Sequence, residues 1–249
     1  MIALLLNSGL GSRMGDETRE HPKCMTRLNS EHTIISWQVK CLERIGVTEA
    51  VVTTGHLSDM LEEYLNALDT PIRFRFVHNP RYRETNYIYS VYLARELLAG
   101  RDVMSLHGDL VMHPAAVEKL AASPVSAVAV DTTLPLPEKD FKGRISGGLL
   151  REVGVNVFGA DCVELQPAYC LRAAQTDRWL AEIGRFVEAG NDRVYAENAF
   201  NAAWEEIPIR PLDVQGLLCA EIDNQEDRAA VCARFEKEIT QDAGKEACR

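Results

Sequence analysis

The chain alternates short apolar runs with amphipathic stretches, and this alternation limits its possible folds more than any other feature. The runs of strand length are IALLL at residues 2–6, then EAVVTTG, IRFRFV, DVMSLHGD and VSAVAV. Between them, apolar residues recur at helical spacing in TIISWQVKCLERIG, LSDMLEEYLNAL, NYIYSVYLARELLAG and HPAAVEKLAA. Strands joined by crossover helices lie parallel in one sheet. The sequence therefore predicts a Rossmann-like α/β fold: an open, mixed, mostly parallel sheet flanked by helices.

The alternation stops near residue 132 and returns near residue 212. The intervening sequence contains the turn-rich TTLPLPEKDFKGRISGG, one strand-like run, REVGVNVFG, and one helical stretch, TDRWLAEIGRFVEAG. We interpret residues 132–211 as a small substrate-facing lobe, inserted into or packed on the sheet of a single domain spanning 1–249. After it, CAEIDNQEDRAAVCARFEKEI predicts a strand tip and a final helix capped by Asn224.

Charge and cysteine content exclude several classes of partner. The net charge is −10, from 27 basic and 37 acidic residues, whereas nucleic-acid or anionic-membrane binding requires basic surfaces. The seven cysteines are odd in number and form no C-x-x-C pair, which favours reduced thiols in a cytoplasmic protein. Neither a signal peptide nor an apolar run of about 18 residues is present, so we expect no membrane span.

Three polar segments follow predicted strands. They are Asn7 to Arg13, the tripeptide His107-Gly108-Asp109 and the tripeptide Glu221-Ile222-Asp223. Ligands of open α/β sheets bind at the carboxyl ends of strands. Gly9 and Gly11 allow the backbone to approach an anion and present N–H groups to it, although a glycine turn that only reverses the chain fits equally well. The two aspartates fit either a metal site or caps of loop–helix junctions.

These segments carry a family resemblance. LNSGLGSRMGDETREHPKCM resembles the signature of the nucleotidyltransferases, L-A-A-G-x-G-[S/T]-R-[M/L], followed about ten residues later by P-K. LHGDL and EIDNQED resemble that family's G-D and E-x-D segments, in the same order. Asn7 and Ser8 stand where the family has two alanines; both are small, so we expect the turn to survive. The resemblance implies a nucleotide-binding core of residues 1–131 and 212–249, with 132–211 binding the acceptor.

The resemblance also implies roles for individual side chains. Two candidates for catalysis follow: Arg13 would hold the β- and γ-phosphates of an NTP, and Lys23 would reach the α-phosphate and neutralise charge in the transition state. The nucleotide-binding candidates are Leu6, Asn7, Ser8, Gly9, Leu10, Gly11, Ser12, Arg13, Lys23, Gly55, Asn79, His107 and Gly108.

A divalent cation completes the implied chemistry. Asp109 and Asp223 would ligate Mg²⁺, whose preferred ligands are carboxylate and phosphate oxygens. Phosphoryl-type transfer asks a protein for positioning and electrostatic stabilisation. An ionised phosphate oxygen of the acceptor attacks the α-phosphorus and pyrophosphate leaves, so no general base is required.

The acceptor is addressed by a second resemblance. HNPRYRETNYIYSVYLARE is similar to the N-P-x-Y-x-x-T-N-N-I-Y-S-x-x-x-A-R segment of the phosphocholine and phosphonate cytidylyltransferases, which implies CTP as the nucleotide. Lys142 and Arg144 would face the acceptor's phosphate or phosphonate, unless they are solvated loop charges. The acceptor-binding candidates are Asn86, Tyr89, Ser90, Lys142, Arg144, Tyr195, Glu197, Asn198 and Glu221.

These residues lead to one function with alternatives. The expected enzyme transfers CMP from CTP to a small hydroxyalkyl-, aminoalkyl- or carboxy-phosphonate. The lysine and arginine of EKDFKGRI favour an acceptor with anionic or polar substituents, such as a carboxylate, and no clustered aromatic cage for choline is recognisable among Tyr169, Tyr195 and Trp204. Phosphocholine is the second acceptor and a sugar 1-phosphate the third. A non-catalytic regulatory subunit is the least favoured alternative, since Arg13 and Lys23 are both present. A homodimer is a further expected partner.

Overall fold

A computed structural model describes residues 1–11 and 20–246, with side chains through residue 239. Nine of the described strands form one sheet in the order β10-β6-β9-β4-β1-β2-β3, to which β7 and β8 attach through β9. These strands are β1 (Ile2–Leu6), β2 (Glu49–Thr54), β3 (Arg73–His78), β4 (Val103–His107), β6 (Ala127–Asp131), β7 (Lys142–Ser146), β8 (Leu149–Gly154), β9 (Cys162–Leu171) and β10 (Arg210–Asp213).

The main sheet is mixed and mostly parallel over its central and edge strands. β1 pairs in parallel with both β2 and β4, β2 pairs in parallel with β3, and β10 pairs in parallel with β6. Only β9 and the β7–β8 hairpin introduce antiparallel pairs into the described part of this sheet. The predicted α/β class is therefore confirmed.

Helices cover both faces of the sheet. The described α-helices are α1 (Ile34–Arg44), α2 (Ser58–Asn66), α3 (Tyr87–Leu98), α4 (Pro114–Ala121), α5 (Ala173–Glu188), α6 (Glu197–Ala202) and α7 (Gln225–Glu246). Alternate residues of β1 enter opposite cores: Ala3 and Leu5 pack with α1, α2, α4 and α7, whereas Ile2 and Leu4 pack with α3, α5 and α6. A strand that is buried on both faces reads as a continuous apolar run, as IALLL does.

Residues 132–211 contribute directly to the sheet. β9 lies between β4 and β6 and is antiparallel to both, so the centre of the sheet includes a strand from this region. The sequence did not indicate β9, because Pro167 and the polar Gln166 argue against an interior strand. The structure accommodates them where the register with β6 shifts between Val128 and Val130, which is where a bulge tolerates proline.

A two-stranded ribbon stands apart from the main sheet. β5 (Leu110–Met112) pairs antiparallel with β11 (Cys219–Glu221). Glu221 and Asp223 thus lie at a strand tip, as predicted, but the strand belongs to this ribbon and not to the main sheet. The ribbon instead carries them to the end of β4, where the Ile222 amide donates to the Asp109 carbonyl at 3.0 Å.

Two further findings bear on the sequence predictions. No helix in the described ranges is long and apolar enough to cross a bilayer. The six cysteines among the described residues are free thiols. The cytoplasmic location and the homodimer stay predictions.

Candidate active site

A cleft of about 310 Å³ opens at the carboxyl ends of β1, β3 and β4. Its walls include the segment Leu6–Gly11, the turn at residues 107–109, and Glu221 and Asp223 from the ribbon. Ser12 and Arg13, both predicted to bind the nucleotide, lie outside the described residues. The described parts of the three polar segments therefore line one cleft.

Lys23 lies between two aspartates on the floor of this cleft. Its Nζ is 2.5 Å from Asp109 Oδ2 and 2.6 Å from Asp223 Oδ1. A turn of 3₁₀ helix, Lys23–Met25, follows Pro22 and aims the side chain inward. Burial opposes a charge on the Lys23 amino group, but the two carboxylates outweigh it and raise its pKa. The lysine is therefore a charged group held by residues 86 and 200 positions away.

The same carboxylates fit a divalent cation. Asp109 Oδ2 and Asp223 Oδ1 converge on one positive charge, and Asp109 Oδ1 is buried without a hydrogen-bond partner. His107, Asp109 and Glu221 each offer a ligand atom within 4.8 Å of the others. Burial opposes ionisation of Asp109, but Lys23 holds its pKa below the usual range. Carboxylate oxygens are the ligands that Mg²⁺ prefers, so the residues present suit this ion.

A buried hydrogen-bonded group adjoins the aspartates. The His107 ring lies 3.6 Å from a Glu221 oxygen and 3.8 Å from a Glu197 oxygen. Glu197 accepts hydrogen bonds from the hydroxyls of Tyr87 and Tyr169, the latter at 3.1 Å. Burial and the neighbouring Asp109 raise the pKa of Glu221 to about 8. Glu197 and Glu221 thus hold His107 at the wall of the cleft.

Close backbone packing shapes the glycine-rich end. A Cβ on Gly108 would lie 2.1 Å from Asn7 Oδ1 and 2.6 Å from the Leu6 carbonyl oxygen. A Cβ on Gly55 would lie 2.5 Å from the Ser8 carbonyl oxygen, so Gly55 packs behind the segment and does not line the cleft. Only glycine at these two positions allows the strand ends to approach so closely.

Asn79 and Ser90 support the cleft wall. The Asn79 amide donates to Thr85 Oγ1 and to Ser90 Oγ, both at 3.0 Å, and Ser90 Oγ donates to Ser8 Oγ at 2.7 Å. Asn79 and Ser90 are almost completely buried. The two side chains are therefore engaged with the protein and tie α3 to the glycine-rich segment.

The remaining residues of the NPRYRETNYIYS segment divide between wall and surface. Asn86 lines the cleft and caps α3, its Oδ1 accepting from the Tyr87 amide at 2.8 Å. Tyr89, expected at the acceptor, lies outside the cleft wall, with the Arg81 guanidinium 5.0 Å above its ring and Tyr92 stacked beside it. Tyr89 therefore packs against Arg81 and Tyr92 instead of facing the cleft.

The expectation that Lys142 and Arg144 face the acceptor is not met. Lys142 is 0% exposed and donates to the carbonyl oxygens of Pro137 and Asp140, at 2.6 and 3.0 Å. Arg144 pairs with Glu152 and Asp161 on another surface. β7 is held between β8 and β9, and this pairing directs both cations away from the cleft. Asn198 is also absent from the wall and is exposed.

An aromatic corner that the sequence did not indicate lines part of the cleft. Tyr195 lies 5.9 Å from Tyr87 and 5.1 Å from Phe141, between ring centroids. Lys139 and Asp140 lie beside it in the wall. Trp204, considered for a cage, stacks instead under Arg151 on another surface. No short motif joins residues 87, 141 and 195, so the sequence gave no signal for this grouping.

The wall contains further residues that the sequence analysis did not select. They are Cys24, Tyr82, Thr85, Tyr87, Lys139, Asp140, Phe141 and Val155. Tyr82 and Thr85 lie within the NPRYRETNYIYS resemblance, which was the available signal for them.

Comparisons with known proteins agree with this geometry. CMP-5′-(3-aminopropyl)phosphonate synthase of Streptomyces rubellomurinus is 31% identical over 251 residues, covering 94% of this chain and 38% of that protein. CTP:phosphoglutamine cytidylyltransferase of Campylobacter jejuni is 28% identical, covering 67% and 70% of the two chains. The chain thus spans little more than a third of the length of the first of these relatives.

Solved structures show the same fold. CTP:phosphocholine cytidylyltransferase of Streptococcus pneumoniae superposes with a TM-score of 0.76 at 18% identity, over 93% of this chain and 98% of that one. The inositol-1-phosphate CTP transferase of T. maritima gives 0.75 at 18% identity, over 95% and 96%. The model of the MobA-like NTP transferase domain matches residues 3–184, from β1 into α5. The chain belongs to the family of MobA-like NTP transferase domains.

Proposed function

We propose that the protein is a Mg²⁺-dependent cytidylyltransferase that transfers CMP from CTP to a small phosphonate carrying an amino group. The observation that carries this proposal is the convergence of Lys23, Asp109 and Asp223 at the end of the glycine-rich segment. The aminopropylphosphonate and phosphocholine enzymes among its relatives support both the nucleotide and the class of acceptor.

The reaction is an in-line displacement at the α-phosphorus. An ionised phosphonate oxygen of the acceptor forms the new P–O bond, and the bond to the leaving pyrophosphate breaks with its electron pair. Lys23 neutralises charge that builds on the α-phosphate, where a fixed cation acts without reorganisation. Asp109 and Asp223 would hold Mg²⁺, which when bound supplies charge neutralisation and orients the phosphates. The role of Arg13 on the leaving group stays part of the proposal.

The aromatic corner favours an amine on the acceptor. Aromatic faces within about 6 Å attract ammonium groups. Tyr87, Phe141 and Tyr195 group three aromatic rings in the cleft wall, and Asp140 belongs to the same wall. The argument for a carboxylate on the acceptor rested on Lys142 and Arg144, which point elsewhere. An aminoalkylphosphonate therefore fits better than a carboxyphosphonate.

Phosphocholine is the second candidate acceptor. Its quaternary ammonium suits the same aromatic corner, and two choline-phosphate cytidylyltransferases are among the relatives of this chain, one of them 31% identical over 104 residues. Since Lys23 and both aspartates are in place together, a non-catalytic regulatory subunit is the least supported alternative.

Pyrophosphate release tests the proposal. The purified chain is incubated with Mg²⁺, each of the four common NTPs and a panel of acceptors: 2-aminoethylphosphonate, 3-aminopropylphosphonate, 2-hydroxyethylphosphonate, phosphonoformate, phosphocholine and glucose 1-phosphate. Release with CTP and the aminoalkylphosphonates supports the proposal. Release only with phosphonoformate or glucose 1-phosphate contradicts it, and nucleotide binding without release under any pair favours the regulatory alternative.

A further inference from the structure

Unpaired buried polar atoms meet at the adjoining ends of β1 and β4. In the described chain, Asn7 Nδ2, Asn7 Oδ1, His107 Nε2 and Asp109 Oδ1 are buried and make no hydrogen bond. Leu6 and His107 are partners in the parallel pairing of the two strands, so the residues that carry these atoms belong to adjoining strand ends. A buried polar atom left unpaired is destabilising, so this wall of the cleft is suited to a polar ligand.

Asn7 is the member of this group whose role the reaction does not explain. Asn7 is 8% exposed and lines the cleft, and its backbone N–H already donates hydrogen bonds to Thr53. The absence of a side chain on Gly108 leaves the space that Asn7 Oδ1 fills, since a Cβ there would lie 2.1 Å from that oxygen. The side-chain amide of Asn7 therefore occupies a defined place against Gly108. The nucleotidyltransferase signature has alanine at this position.

The donors and acceptor of the Asn7 side-chain amide limit which ligand group it can bind. Asn7 offers one acceptor oxygen and two N–H donors side by side, whereas an ionised phosphate supplies acceptors alone. The partner must therefore donate to Oδ1 and accept from Nδ2. A vicinal diol does both, since one hydroxyl donates while its neighbour accepts.

The position of Asn7 further selects among parts of a nucleotide. Asn7 Oδ1 lies against Gly108, the residue before Asp109, which would hold the Mg²⁺ beside the reacting α-phosphate. The ribose is the part of an NTP that is bonded to the α-phosphate, whereas the base lies one sugar further away. We propose that Asn7 binds the ribose hydroxyls and makes the enzyme select ribonucleotides over deoxyribonucleotides, an inference that rests on the proposed transfer from CTP.

Substrate pairs that differ by one hydroxyl test the inference. The ratio of kcat/KM for CTP to that for 2′-deoxy-CTP is measured with the full chain, and the same ratio is measured with 3′-deoxy-CTP. The wild type should prefer CTP by about tenfold in at least one pair, as expected for a lost hydrogen bond that leaves a buried amide unpaired. Asn7→Ala should bring that ratio to about one, because the two changes remove the same contact.

Ser8→Ala is the matched control. Ser8 is the adjacent departure from the two alanines of the signature, but its hydroxyl is already held by Ser90. This variant should keep the wild-type ratio between CTP and its deoxy analogues, whatever its effect on the rate. If the ratio of kcat/KM for CTP to that for deoxy-CTP falls equally in Asn7→Ala and Ser8→Ala, the assignment of ribose binding to Asn7 is overturned.

Three other results would also overturn it. They are a wild-type enzyme that does not distinguish the ribose from either deoxyribose, an Asn7→Ala ratio equal to that of the wild type, and an Asn7→Ala chain that does not fold. A changed preference between CTP and UTP with an unchanged ribose ratio would assign Asn7 to the base instead.

The same experiment separates this inference from the proposed function. Calorimetric dissociation constants for each NTP and its 2′- and 3′-deoxy analogues, measured without acceptor, give the ribose preference independently of turnover. If another NTP binds and CTP does not, the proposed use of CTP fails, while the ribose comparison with that NTP still decides the role of Asn7.

Discussion

The two ends of the cleft are built in different ways. The end that we propose for the nucleotide consists of the Leu6–Gly11 segment and the turn at residues 107–109, which are short contiguous pieces at neighbouring strand ends. The end that we propose for the acceptor combines Tyr87 from α3, Phe141 from the segment before β7 and Tyr195 from the loop before α6. On this proposal, the phosphate chemistry is encoded in local sequence, whereas the choice of acceptor depends on how distant segments pack.

Removal of either aspartate should have the largest effect, at the nucleotide end. Asp109→Ala or Asp223→Ala should lower Mg²⁺-dependent turnover by roughly 1,000-fold or more, since a metal contributes several kcal/mol to the stabilisation of transition-state charge. Steady-state pyrophosphate release measures the loss, with circular dichroism as the control for folding. EDTA should abolish the activity of the wild type. Near-normal activity in both variants would contradict the metal assignment.

Lys23→Ala should have the next largest effect. We expect kcat to fall about 100-fold or more while KM for CTP changes little, because the lysine charge acts mainly on the transition state. Kinetics at saturating acceptor measure the two parameters. Because Lys23 also separates the two aspartates, its loss leaves their carboxylates facing each other, so a matched Lys23→Arg variant tests whether charge alone suffices. A change confined to KM would make Lys23 a binding residue.

Tyr195→Ala tests the acceptor end. Its ring is 41% exposed and packs on Phe141, so the substitution removes a face of the aromatic corner with little demand on the core. We expect KM for an aminoalkylphosphonate to rise about tenfold, within the range of a cation–π contact, while KM for CTP stays near its wild-type value. Tyr195→Phe should retain the wild-type KM. An equal rise for both substrates would show that the two ends do not act separately.

Arg144→Ala should have the smallest effect. Its guanidinium pairs with Glu152 and Asp161 outside the cleft, and exposed ion pairs contribute little to function or stability. We expect KM for the acceptor to stay within about twofold of the wild type. The same kinetic assay serves as the matched comparison with Tyr195→Ala. A large rise in KM for the acceptor would support the sequence-based expectation that Arg144 binds the acceptor.

Most of the fold follows from local pattern. The runs that predicted β1, β2, β3, β4 and β6 and the helices between them are all present, because strands buried on both faces and helices buried on one have distinct periods. β9 was missed because Pro167 and Gln166 obscure it, and its place between β4 and β6 depends on long-range pairing. The extent of the acceptor lobe, residues 132–211, stays an interpretation.

The same distinction between local pattern and long-range packing applies to the residues of the cleft. The family resemblance assigns Lys23, Asp109 and Asp223 to one nucleotide site because all three belong to short segments of known order, but the ion pairs between them are a finding of the structure. The burial of Lys142 was not, because whether a loop cation reaches substrate or a backbone carbonyl depends on strand pairing around it.

By itself, the sequence determined the α/β alternation, the glycine-rich segment after β1 and the carboxylates at the later strand ends. These depend on side-chain period and on residue types next to one another in the chain. Only the tertiary structure decided that Tyr87, Phe141 and Tyr195 share one corner and that Lys142 and Arg144 face away from it. It also decided that the side-chain amide of Asn7 is buried without a hydrogen-bond partner. The physical reason is that contacts between residues far apart in the chain are set by how the sheet and its helices pack together.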